Sequence, residues 1–194
     1  MTRVEIEQAL GKRAPLSKQD LDVFFELAKP LRVRKNQHLV EQGEAPVYFT
    51  LIKEGCVMTY FRDEAKALHV LQFGTSMWWT GDLESFFHGG PSQYGLKAMV
   101  ESELLLFSAK DFEALTDQSP AFERYFRVLF QNSLISHQQR IKRNISYTAE
   151  QKYLAFLEKH PKLELIVPQK YIASYLGITP EFLSKLRRRL AQDS

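Results

Sequence analysis

The sequence predicts an α+β protein: an N-terminal antiparallel β-roll, a long connecting helix, and a small C-terminal domain built on a helix-turn-helix. Three observations predict it. From about Leu31 to Ser108, short β-branched and aromatic runs alternate with turn residues. From Pro120 to about Arg143, apolar residues recur at helical spacing. From Gln169 onward, apolar residues fall on the offsets that two steeply crossed helices bury.

Taken in order, the first element is a short helix in "SKQDLDVFFELA", opened by Ser17 as N-cap. The strands follow, with "HLVEQGE" turning at Gly43, "VYFTLIKEGCVMTYF" breaking at Gly55, and "ALHVLQFG" stopping at Gly74. "GLKAMV" and "ELLLFS" come after the Gly89-Gly90-Pro91 turn. Pro120 suits the first turn of the long helix. Its stripe, Phe122, Phe126, Leu129, Phe130, Leu134 and Ile141, is read as a seam against a second copy rather than as core. "TAEQKYLAFLEKH" is a further helix ended at His160-Pro161, and "LELIV" a brief extended piece. The expected domains are residues 1–118, a connecting helix 119–145, and residues 146–194.

Composition narrows the function classes. The 194 residues are 44% apolar and 25% charged, typical of a soluble globular protein. Without an apolar run of 18 residues or a secretory leader, a cytoplasmic location is expected. Cys56 is the single cysteine, so no internal disulfide or iron–sulfur cluster forms. The net charge of +3 is unevenly spread: residues 1–120 balance at −4, residues 121–194 at +7. A basic C-terminal segment suits a polyanion.

The helix-turn-helix carries that expectation to DNA. Ile172, Leu176, Ile178, Leu183 and Leu186 take the buried offsets, with Ala173 small at the crossing. Gly177 supplies the positive-φ turn; Thr179, Pro180 and Glu181 open the second helix. Phe182, Leu183, Leu186 and Leu190 form its inner side; Glu181, Ser184, Lys185 and Arg188 face out. Lys185 can donate to guanine and Glu181 can accept from cytosine. Lys170, Arg187, Arg188 and Arg189 suit phosphates or the groove edge.

The chain resembles the Crp/Fnr family of bacterial transcription regulators, most specifically in "VPQKYIASYLGITPEFLSKLRRRL" and "GDLESFFHGGPSQYGLKAM". The resemblance implies a cyclic-nucleotide-binding-like roll, a dimerisation helix, and a winged-helix-type DNA-binding domain. It implies a homodimer on two-fold-related half-sites of double-stranded DNA, possible contact with RNA polymerase, and no membrane. It puts base reading on Pro180, Glu181, Ser184 and Lys185. Pro180 replaces a frequent arginine, and too few residues flank the helix-turn-helix for a full wing hairpin.

By the same resemblance, Gly81, Asp82 and Leu83 match the Gly-Glu-Leu segment over a nucleotide, with the acid one methylene short. Ser92 and Gln93 stand where an Arg-Ser pair holds the cyclic phosphate. A charge-assisted contact is roughly twice a neutral one, and its loss costs on the order of several kcal/mol. An effector other than cyclic AMP is therefore expected, or none, the roll then serving as scaffold. Trp78, Trp79, Phe86, Phe87 and Tyr94 could wall a ligand, but the core reading is preferred; Met77 and Met99 are also assigned to core. His38, His69, His88 and Cys56 could each ligate a haem, yet nothing singles one out. No metal site, cofactor or catalytic constellation is expected.

Overall fold

Thr2 and Ser17 each close a capping box, with Glu5 and Asp20, and so start the first two helices, α1 (Arg3–Gly11) and α2 (Lys18–Leu27). Both belong to the first of two units in a computed structural model that describes residues 1–45 and 47–192. That unit comprises Met1–Thr59 and Phe73–Ile135; the second comprises Tyr60–Gln72 and the chain from Ser136. The sequence reading misses both α1, where only Ile6 and Leu10 of nine residues are buried, and the later helix over Ala109–Gln118.

Eight strands follow: β1 (Lys29–Val33), β2 (His38–Val40), β3 (Phe49–Glu54), β4 (Cys56–Arg62), β5 (Leu68–Thr75), β6 (Trp79–Thr80), β7 (Gly95–Ala98) and β8 (Ser102–Phe107). They make two four-stranded sheets, ordered β1-β8-β3-β6 and β2-β7-β4-β5. β3 and β8 are antiparallel, with Leu51 opposite Leu105 and Ile52 opposite Leu104. Because side chains alternate, Phe49, Leu51, Leu105 and Phe107 enter one core cluster while Ile52 and Leu104 enter another with Val33, Val57, Leu96 and Ala98. Both faces are buried, which is why these strands read as unbroken apolar runs.

The first cluster is aromatic and closed by helices. α4 (Ala109–Gln118) contributes Phe112 and Leu115; the first turns of α5 (Pro120–Ser146) contribute Phe122, Tyr125 and Phe126. Phe24 stacks on Phe122 at 5.2 Å between ring centroids, and Phe49 on Trp79 at 4.7 Å. The Trp79 indole donates to Tyr125 Oη (3.0 Å), which also accepts from Arg13 (2.8 Å). The α5 stripe therefore splits. Phe122 and Phe126 are core, Leu129 and Phe130 pack at its edge, and Leu134 and Ile141 are exposed.

In the second unit, Thr148 caps α6 (Ala149–Lys159) through a box with Gln151. "LELIV" is not extended as expected: Leu163–Ile166 form a helical turn, α7, burying Leu163. Pro168 leads into α8 (Gln169–Leu176), and α9 (Pro180–Gln192) follows Gly177. No strand lies between Pro120 and Gln192 among the described residues. The hairpin Tyr60–Gln72 is packed in this unit. Ser174 Oγ on α8 accepts from Val70 N and donates to Leu68 O, each at 3.0 Å, and Arg140 donates to Leu71 O.

Tyr125→Phe deletes the only side-chain acceptor seen for the buried Trp79 N–H and also releases Arg13. A loss of about 1–3 kcal/mol is expected, read as a lower urea midpoint at unchanged slope.

Candidate DNA-reading helix and the Gly81–Gln93 loop

The turn between α8 and α9 is built as its sequence requires. Gly177 sits at φ 70° and ψ 34°, the left-handed cap that ends α8. Thr179 Oγ1 accepts from Phe182 N (3.2 Å), capping α9. Ile172, Ala173, Leu176, Leu183 and Leu186 are buried between the two helices and their surroundings, while Ile178 is half-buried. One inward assignment needs correcting. Phe182 is 50% exposed, because its position one residue before Leu183 turns it about a quarter of the way round the helix, off the buried stripe.

Pro180, Glu181, Lys185 and Arg188 are exposed and Ser184 is half-buried, all off the Leu183–Leu186 stripe. Lys170, at the start of α8, is exposed with its ammonium 5.0 Å from the Tyr171 ring centre. Arg187 and Arg189 differ from their neighbours. Arg187 Nε donates to Glu164 on α7 (2.9 Å), which also accepts from Tyr153 Oη, and Arg189 pairs with Glu150 on α6. Burial, then Glu164, pushes the Tyr153 phenol up to about 12. These two arginines tie α9 to its own unit. Ser174 and the hairpin it holds escaped sequence reasoning, since a half-buried serine on a helix has no pattern to betray a backbone partner about a hundred residues away in sequence.

In the first unit, Gly81, Asp82, Leu83, Ser92 and Gln93 do come together. At Gly81, φ is 154° and a Cβ would lie 2.8 Å from Tyr48 O, so only glycine fits. Asp82 is 1% exposed and caps α3 (Leu83–His88). Its Oδ1 accepts from Glu84 N (3.1 Å) and Ser85 N (3.3 Å). Its Oδ2 accepts from Gln93 N (2.6 Å) and lies 3.0 Å from Ser85 Oγ. Ser92 Oγ is 3.4 Å from the same oxygen but donates at 2.7 Å to Tyr94 O. Leu83 and the Gln93 side chain are exposed. The loop's donors thus converge on the chain's own carboxylate.

The aromatics assigned to core are largely there. Trp79 and Phe86 are buried in the aromatic cluster, Trp78 packs on the second cluster, and Met99 is fully buried. Phe87 is 49% exposed. The Cys56 thiol is buried and pushed up to about 12 by that burial, which leaves it a poor thiolate. His69 meets Asp63 at 2.7 Å and His38 meets Glu41 at 3.4 Å, well apart in the chain from His88 on α3. Among the described residues, no three His, Cys, Asp or Glu are grouped as metal ligands, and no helix is long and apolar enough to cross a membrane.

Residues 30–119 match the cyclic nucleotide-binding domain family. Among solved structures, the chain is similar to the c-di-GMP responsive global regulator CLP of Xanthomonas campestris, at 14% identity, 91% and 93% coverage of the two chains, and a TM-score of 0.74. It is similar to FixK2 of Bradyrhizobium japonicum (15%, 86% and 85%, 0.70) and to the catabolite activator protein of Thermus thermophilus (17%, 95% and 87%, 0.59). A comparison with curated protein sequences returns no match. The fold is that of Crp/Fnr-type regulators.

Asp82→Ala strips the α3 cap and leaves the buried Ser85 amide and the part-buried Gln93 amide without their acceptor. The expected cost is about 1–3 kcal/mol, seen as a fall in thermal midpoint, with Asp82→Asn intermediate because it keeps one acceptor oxygen.

Proposed function

We infer that this chain, built on the Crp/Fnr-type fold, is a homodimeric, sequence-specific DNA-binding transcription regulator. The observation that carries the reading is α9 itself. Leu183 and Leu186 anchor one side, leaving Glu181, Lys185 and Arg188 exposed behind a capped N-terminus. That is the arrangement a recognition helix needs to enter the major groove. Lys185 and Glu181 are assigned to bases, Ser184 and Pro180 to the groove floor, and Lys170 and Arg188 to phosphates. Arg187 gives one N–H to Glu164 and Arg189 one to Glu150, so their remaining donors are left for phosphates.

Dimerisation is assigned to the exposed half of α5. Leu134, Ile141 and Ile145 are 63%, 59% and 82% exposed, separated by seven and four residues. This is the spacing of one helical seam, and a second copy of the same helix covers it. Two-fold-related half-sites follow from that symmetry.

Control by a small effector other than cyclic AMP remains the leading assignment for the roll. In a population shift, the effector would favour one arrangement of α5 and of the reading helices. Asp82 favours a second reading. A buried carboxylate that already takes the Gln93 and Ser85 donors leaves the loop no need of an anionic ligand, and the roll is then a scaffold for dimerisation or polymerase contact. Calorimetric titration with cyclic AMP at physiological salt is expected to give no heat on either reading; micromolar binding would refute both.

Selection from random duplexes is expected to enrich a two-fold-symmetric site. Lys185→Ala should then weaken that site by about 1–3 kcal/mol while non-specific affinity changes far less. An equal loss on both would remove Lys185 from base reading, and the absence of any enriched symmetric site would remove the function.

A further inference from the structure

A second concave site lies wholly within the helical unit, apart from the reading helix. The end of α5, one side of α6 and the end of α8 enclose a cavity of about 40 Å³. Arg140, Arg143, Lys152 and Lys159 line it, over a floor of Phe156 and Tyr175. Phe156 is buried, and Arg140, Arg143 and Lys152 are half-buried, so three of the four cations are partly withdrawn from water. The lining includes no aspartate or glutamate.

Cations gathered this way repel one another and lose hydration, and an anion seated among them offsets both effects. The Lys159 ammonium shows the effect. Burial and then Arg143 and Arg140 hold it below its ordinary value, and burial with Lys159 lowers the neighbouring His160 to about 4. His160 is therefore neutral at pH 7 and adds no charge of its own. Arg140 is fixed in place, its guanidinium 4.7 Å from the Tyr175 ring centre and one N–H donated to Leu71 O. A guanidinium has five donors, so this bond leaves others for a ligand.

We propose that this groove binds the phosphoryl group of a small phosphorylated ligand, held by Arg140, Arg143, Lys152 and Lys159. The size fits one tetrahedral anion, since a single water needs roughly 10–15 Å³ of such space. A DNA backbone is the other source of phosphate. A duplex read by α9 would set its phosphates beside that helix, whereas these cations surround a recess whose lining includes no residue of α9. The site does not depend on whether the roll binds an effector or on what α9 reads.

The test titrates the full-length protein with inorganic phosphate by calorimetry at pH 7.5 and low ionic strength. Saturable binding is expected, weakened about tenfold or more in Arg143→Gln/Lys159→Gln. The charge-matched control Lys12→Gln/Lys35→Gln, far from the groove in sequence, should bind as the parent does. Lys152→Gln alone provides the reading if the double variant does not fold. Absence of saturable binding, or equal loss in the control, overturns the site. A parallel salt titration with random-sequence duplex separates the two sources. An unchanged slope supports a small ligand, and a slope shallower by about 2 in the double variant assigns the groove to DNA and overturns the proposal.

Discussion

Burial of both faces of the β3–β8 pair organises the first unit. A strand pair that puts Ile52 and Leu104 on one side and Leu51 and Leu105 on the other exposes no face to water. The second sheet covers one side through Val57, Leu96 and Ala98. The other is covered by helices, which must bring rings large enough to fill it: Phe24 from α2, Phe112 from α4, and Phe122 and Phe126 from α5. Trp79 enters the same core with an indole N–H that must be satisfied, and that requirement fixes Tyr125 in turn. The opening of α5 is committed to this core, while its later apolar residues, Leu134 and Ile141, stay exposed.

The donors of the Gly81–Gln93 loop gather on an acid of the loop itself. A pocket built to hold an anion presents backbone N–H groups and hydroxyls around a buried spot. Here Gln93 N, Ser85 N and Ser85 Oγ are so arranged, and the acid at their centre is Asp82. Ser92 itself donates to Tyr94 O and brings no positive charge to the loop. A carboxylate held at 1% exposure by neutral donors is compatible with its neighbours only while no second anion approaches. Asp82, Ser85 and Gln93 thus form one closed hydrogen-bonded set inside the loop.

How far the chain was legible follows from which forces leave a local trace. Capping and turn chemistry are local, so Ser17, Thr179 and Gly177 announced their roles. Strands interrupted by glycine were readable for the same reason, Gly55 separating β3 from β4 at φ 113°. The α5 stripe was legible as apolar but not as divided, because only packing decides that Phe126 is inside and Ile141 outside. The α7 turn was hidden because "LELIV" suits either state, and burying Leu163 settles it. Among the site residues, exposure of Lys185 and Arg188 followed from periodicity. The partners of Arg187 and Arg189 did not, since Glu164 and Glu150 lie more than twenty residues away in sequence.

Those partners redistribute the charge of the helical unit. The excess of +7 over residues 121–194, most of which belong to that unit, is not a uniform basic coat. Glu164 and Glu150 neutralise the two arginines that flank the inner side of α9, which keeps that helix seated without burying an unpaired charge. Two groups stand out among the rest: Lys185 and Arg188 on the outward face of α9, and the four cations of the recess between α5, α6 and α8. The first is convex and exposed, and so suits a long polyanion; the second is concave and partly dehydrated, and so suits a small one. Arg140 belongs to the second while also holding Leu71 of the hairpin, so an anion drawn to the recess acts on a residue that already fixes the hairpin beside α8.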